Sequence, residues 1–181
     1  TVHVIEDTEQ RGPAWARNRG LERAEADLVA FLDADDQWHP DKLRRQIAAL
    51  EAHDVALCVE GPCDGESRSV GVDTFGEELL FGDLESLTSS VLLNRSEVSD
   101  ITFDESLDRL EDHLFVIEAA VAGGVCYCDG PLVTIEKHDQ GLSARGSHDQ
   151  LFASRLAVAD RLETHRQTRG YADRLRAYAH Y

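Results

Sequence analysis

Residues Phe31-Leu32-Asp33-Ala34-Asp35-Asp36 set three carboxylates directly behind an apolar segment, Leu28-Val29-Ala30-Phe31-Leu32. That segment is too short to span a membrane and suits a buried strand. Carboxylates packed this closely repel one another, so a fold favours them at a strand's exit when a cation sits between them. Hard divalent ions such as Mg²⁺ or Mn²⁺ take oxygen ligands and keep positions open for the phosphates of a substrate. The competing reading is an acidic loop that merely follows a strand. A chain with 35 acidic against 18 basic residues gives that reading weight.

The flanks are informative. Upstream lies Gly12-Pro13-Ala14-Trp15-Ala16-Arg17-Asn18-Arg19-Gly20-Leu21, and downstream Trp38-His39-Pro40-Asp41-Lys42-Leu43. Pro13 suits a first helical position and Gly20 a helix end. Pro40 with Asp41 behind it predicts another helix start, from which Leu43, Ile47 and Leu50 fall on one face. The order is helix, buried strand, acidic turn, helix. Further along, Val2-His3-Val4-Ile5, Val55-Ala56-Leu57-Cys58-Val59, Ser89 to Leu93 and Val125-Cys126-Tyr127-Cys128 read as strands, and Glu111 to Ala122 as a helix. Gly61 to Gly76 reads as a loop, and Asp129-Gly130-Pro131 as a turn before Leu132-Val133-Thr134-Ile135. From about Gln150 onward the pattern is helical, with Leu151, Val158 and Leu162 inward. The alternation predicts an α/β fold with a mostly parallel sheet flanked by helices and a helical C-terminal tail.

Three pieces in order, G-P-x-x-A-R-N-x-G-L, then F-L-D-A-D-D-x-W-x-P, then the later pair Glu111-Asp112, resemble the family 2 inverting glycosyltransferases. The resemblance implies the Rossmann-like GT-A fold over residues 1–146, with residues 147–181 as a helical extension. It implies transfer of a sugar from a nucleotide-sugar donor to an acceptor hydroxyl, with Mn²⁺ or Mg²⁺ as cofactor. Family members usually open with a further strand-helix-strand unit, in which an acidic residue meets the nucleotide base. This chain is expected to start after that unit. The alternative reading, a truncated non-catalytic domain with a binding or regulatory role, rests on that difference. A nucleotidyltransferase would need a Gly-rich triphosphate-binding segment near the start, and none is present.

By resemblance, Asp33-x-Asp35 is the family's D-x-D motif, with Asp33 near the ribose or metal and Asp35 as the direct metal ligand. Phe103-Asp104-Glu105 followed by Glu111-Asp112 matches the family's F-D-E and E-D elements, which gives Asp112 the role of base and puts Glu111 beside the substrate. The plainer explanation of the pair is that acids favour a helix N-terminus. His138 resembles the histidine that some members add as a further metal ligand. Arg17 and Asn18, on the helix before the acidic strand, are candidate substrate-binding residues. A guanidinium there can pair with diphosphate or hold the D-x-D carboxylates, and an ordinary structural ion pair is the alternative. Trp15 and Trp38 read as packing residues.

A net charge of −17, with Lys42 and Lys137 the only lysines, gives a surface that repels nucleic acid and anionic lipid. Acids spread among periodic apolar positions, with lysine nearly absent, point to adaptation to high salt. No apolar run approaches the roughly 18 residues of a membrane helix, and no signal peptide opens the chain. The cysteines Cys58, Cys63, Cys126 and Cys128 form no C-x-x-C pair, so buried reduced thiols are expected rather than a zinc site. The compartment is read as cytoplasmic, with peripheral membrane association compatible. The acceptor is left open among lipid-linked sugar, polysaccharide and protein.

Overall fold

A computed structural model describes residues 2–6, 8–61, 65–81, 87–135, 148–164 and 168–179. The first helix, α1, runs Pro13–Arg23, and β1 is Leu28–Ala30. After the acidic turn come β2 (Gln37–Trp38) and α2 (Lys42–His53). Next are β3 (Leu57–Gly61), β4 (Arg68–Val70), α3 (Val72–Phe81), α4 (Leu87–Ser90) and β5 (Leu92–Asn94). The chain continues through α5 (Glu111–Gly123), β6 (Val125–Asp129) and β7 (Val133–Thr134) to the helices α6 (His148–Leu162) and α7 (Arg169–Ala179).

The main sheet has the order β1-β5-β3-β6-β4. Its central pair β3–β6 is parallel, with Cys58 opposite Cys126. The pairings β1–β5, β3–β5 and β4–β6 are antiparallel, so the sheet is mixed around a parallel centre. Residues Leu57–Val59 and Val125–Cys128 of the central strands are buried on both faces, which explains their unbroken apolar runs. The period of two divides them cleanly. Leu57, Val59, Val125 and Tyr127 enter the large core with α3, α5, α6 and α7. Cys58, Cys126 and Cys128 turn to the other side, beneath Ala49 and Leu50 of α2, and are free thiols.

Several local expectations are corrected. Val2–Ile5 forms no strand, and Val2 and Val4 are exposed, because no described strand pairs with them. Instead of being fully buried, β1 is an edge strand of the sheet, and Leu28 and Leu32 are exposed. Gly20 does not end α1, which continues to Arg23. The inward face of α2 is Lys42, Gln46, Ala49 and Leu50, whereas Leu43 is exposed. The predicted strand from Ser89 is split between α4 and β5.

The C-terminal helices share the main core. Val158, Ala159 and Leu162 of α6 and Tyr171, Ala172 and Leu175 of α7 pack with Phe75 and Leu79. The Tyr171 hydroxyl donates to the Val72 carbonyl at 3.1 Å. Gly76 lets the ring in: a Cβ there would sit 2.7 Å from Tyr171. No helix among the described residues is long and apolar enough to cross a membrane.

Candidate active site

The site is assembled where α1, the end of β1 and the start of α5 converge. Phe31, just before the acidic turn, packs edge-on against Phe103 and Phe115, with ring centroids 5.3 and 5.8 Å away. Phe103 and Phe115 stack face to face at 4.0 Å. Such aromatic pairs add about 0.5–1.5 kcal/mol each beyond burial. They fix the strand end that carries Asp33 against the helix that carries Asp112.

Arg17 joins the charged groups. Its Nη2 donates to Asp33 Oδ1 and Oδ2 at 3.0 and 3.1 Å, and its Nη1 donates to Glu111 Oε1 at 3.0 Å. The guanidinium is well covered, with its side chain 13% exposed. Three expected site residues, Arg17, Asp33 and Glu111, are thus in direct contact. Asn18 faces elsewhere: its Oδ1 accepts the Phe103 N–H at 2.8 Å, and its Nδ2 donates to the Phe103 carbonyl and Glu105 Oε1. Its amide braces the loop that carries the F-D-E residues.

In the acidic turn, the Asp36 N–H donates to the Asp33 carbonyl at 3.1 Å. Asp33 is partly open, its side chain 42% exposed. Asp35 is exposed, and its side chain makes no hydrogen bond or ion pair with another described residue. A carboxylate pair held this way, one anchored and one free, can offer hard oxygen ligands to a divalent ion. Among the described residues no group of three or more His, Cys, Asp or Glu is arranged to hold a metal. His138 lies outside the described residues.

Leu110 precedes α5 in a left-handed conformation, φ 66°, which branched side chains rarely enter. Glu111 and Asp112 follow as the first residues of the helix. Glu111 is 8% exposed. Burial, and then the neighbouring Asp112 charge, push its carboxyl above the usual range against the pull of Arg17. Burial also pushes Asp112 upward, but hydrogen bonds from the His113 side chain and backbone, helped by Arg17, outweigh it and hold the carboxyl low. His113 Nδ1 lies 2.9 Å from Asp112 Oδ1, and the His113 N–H donates to the same oxygen at 2.8 Å. Asp104, the other acid of the loop, is paired with Arg161 of α6 at 2.9 Å.

The sequence patterns passed over a buried polar layer behind the site. Lys42 Nζ donates to Gln46 Oε1 at 2.7 Å and to the Val91 carbonyl at 3.2 Å, and lies 4.6 Å from the Trp38 ring centroid. Burial lowers its ammonium to about 8. Gln46 Nε2 donates to the carbonyls of Ser90 and Cys58. Thr88, Ser89 and His113 reach the site and were likewise missed. Only the adjacency of His113 to Asp112 and the polar run Thr88-Ser89-Ser90 before an apolar strand hinted at them.

Residues 1–86 match the family model described as Glycosyl transferase family 2. The chain is 33% identical over 140 residues to the amylovoran biosynthesis glycosyltransferase AmsB of Erwinia amylovora, an alignment covering 66% of this chain and 44% of AmsB. It is 27% identical to the succinoglycan biosynthesis protein ExoO of Rhizobium meliloti, over 95% of this chain and 59% of ExoO. The fold is similar to that of Staphylococcus aureus TarS residues 1–349, crystallised with UDP-GlcNAc. That match has a TM-score of 0.64 at 22% identity and covers 91% of this chain and 50% of the TarS chain. The chain therefore spans less than two thirds of each of these chains, between 44% and 59%.

Proposed function

The chain carries a family 2 glycosyltransferase domain of the GT-A fold, and on that premise we propose that it moves a sugar from a nucleotide-sugar donor to an acceptor hydroxyl with inversion. The observation that carries this reading is the Arg17 bridge. One guanidinium ties Asp33 of the acidic turn to Glu111, the immediate neighbour of Asp112. The donor end and the base end of a displacement thereby share one fastening.

A divalent ion fits the residues present. Asp35 offers an exposed carboxylate without a side-chain partner among the described residues, and Asp33 keeps lone pairs beyond those that Arg17 uses. Two carboxylates suit Mg²⁺ or Mn²⁺, whose other positions fall to water and donor phosphates. When bound, such an ion neutralises the charge that grows on the departing nucleoside diphosphate.

The rest is the work of this chain's own side chains. Asp112, held low by His113 and Arg17, is ionised at neutral pH and able to accept a proton. As the acceptor oxygen bonds to the anomeric carbon it becomes acidic, so a carboxylate is a sufficient base late in the step. Attack from the face opposite the leaving diphosphate inverts the centre. Arg17 keeps Asp33 oriented, and its charge offsets the crowded acids. UDP-GlcNAc is the nucleotide sugar bound in the TarS complex. It is therefore the first donor to screen here, with other nucleotide sugars beside it. Release of nucleoside diphosphate that depends on Mn²⁺ or Mg²⁺ and on an added acceptor supports the proposal. No release from any donor, with or without an acceptor, rejects it.

A further inference from the structure

Neighbouring side chains of α4 reach opposite sides of the site. Ser89 Oγ accepts the backbone N–H of Asp33 at 3.0 Å, and the Ser89 carbonyl accepts the Trp38 indole N–H at 3.0 Å. Those two bonds grip the acidic turn at its first residue and at the strand that follows it. Thr88 Oγ1, one position earlier, donates to Asp112 Oδ2 at 3.5 Å. Thr88 and Ser89 are 5% and 0% exposed, so neither presents a surface to substrate. The segment is itself fastened from α2, by Gln46 to the Ser90 carbonyl at 2.7 Å and by Lys42 to the Val91 carbonyl at 3.2 Å. A fully buried lysine and glutamine require partners, and these carbonyls supply them.

We propose that Thr88 and Ser89 are positioning residues of two different kinds: Ser89 sets the turn bearing Asp33 and Asp35, and Thr88 sets the carboxylate of Asp112. The inference rests on the glycosyl-transfer reading above. Neither side chain acts on the reacting atoms. They act through the carboxylates, and a shared rigid segment fixes the separation between the two. Displacement reactions are sensitive to that separation, since small misplacements lower rate steeply.

The test compares Ser89→Ala, Thr88→Val and the hydroxyl-preserving Thr88→Ser in the full chain. NMR reads both halves without substrate. Ser89→Ala should speed exchange of the Asp33 amide about tenfold, having lost its acceptor, and leave the Asp112 side-chain carboxyl signal unmoved. Thr88→Val should move the Asp112 signal and leave Asp33 exchange unchanged, and Thr88→Ser should restore it. With the donor found by screening, Ser89→Ala should raise donor KM about fivefold at near-normal kcat. Thr88→Val should lower kcat about tenfold at near-normal donor KM. Variants that shift both readouts together, or neither, overturn the inference. A wild-type protein that transfers nothing removes the functional reading, while the two NMR signals still decide whether Thr88 and Ser89 act separately.

Discussion

Arg17 holds Asp33 by both carboxylate oxygens, at 3.0 and 3.1 Å, from a helix sixteen residues earlier in the chain. The same guanidinium reaches Glu111, so one planar fork serves two acids. Lysine, with a single charged point, cannot reproduce that geometry. Arg17→Lys is predicted to lower stability by about 1–3 kcal/mol through the acid it leaves unpaired. Urea denaturation checks this, with the midpoint falling and the slope unchanged. An unchanged midpoint would mean the bridge contributes nothing to the fold.

Glu111 gives the pH dependence a definite sign. Burial and the neighbouring Asp112 hold its carboxyl above the ordinary value of 4.5, so the folded chain binds this proton more tightly than the unfolded chain. Its contribution is full below the unfolded value and is lost as pH rises through the folded one. Glutamine cannot ionise. Glu111→Gln should therefore gain in stability relative to wild type as pH is raised from about 4 to 7. A relative loss over that range would show that Arg17 outweighs burial.

Asp35 is the exposed acid of the turn, which makes it the residue most available to a cation. Calorimetry of Mn²⁺ with a nucleoside diphosphate should show binding to wild type and at least tenfold weaker binding to Asp35→Ala, on the magnitude of one lost charged contact. Equal binding by both proteins would move the metal elsewhere.

The acidic excess predicts salt-dependent stability. With a net charge of −17, surface carboxylates repel at low ionic strength, and screening shortens that repulsion to about 3 Å in molar salt. Melting temperature should climb clearly between low and molar KCl. A flat or falling curve rejects adaptation to high salt and leaves the site unaffected.

Local chemistry was readable in the sequence where local chemistry decides the outcome. Pro13 begins α1, and Glu111 with Asp112 begins α5, because a helix start is specified within a few residues. The run Val125–Cys128 announced a strand, and the structure buries it on both faces. The inward face of α2 was hidden because it is built from Lys42 and Gln46, and a search for apolar periodicity selects Leu43 instead. The exposure of β1 depends on its place at the sheet's edge, which no stretch of sequence encodes locally. Arg17, Asp33 and Asp112 could be picked out as candidates by family likeness. Ser89 could not, since its tie to Asp33 spans 56 residues and exists only once the sheet has formed.

The most direct test concerns Asp112. Asparagine keeps the shape of the carboxylate and its place at the head of α5 but cannot accept the acceptor's proton. A general base contributes about 10² to 10⁴ in rate. Donor affinity, set by the nucleotide and metal contacts, has little reason to change. Turnover and donor titration of wild type and Asp112→Asn should therefore separate, with turnover down by about that factor and donor binding nearly intact. Near-normal turnover in the Asn variant would contradict Asp112 as the base and turn attention to Glu111 or Asp104.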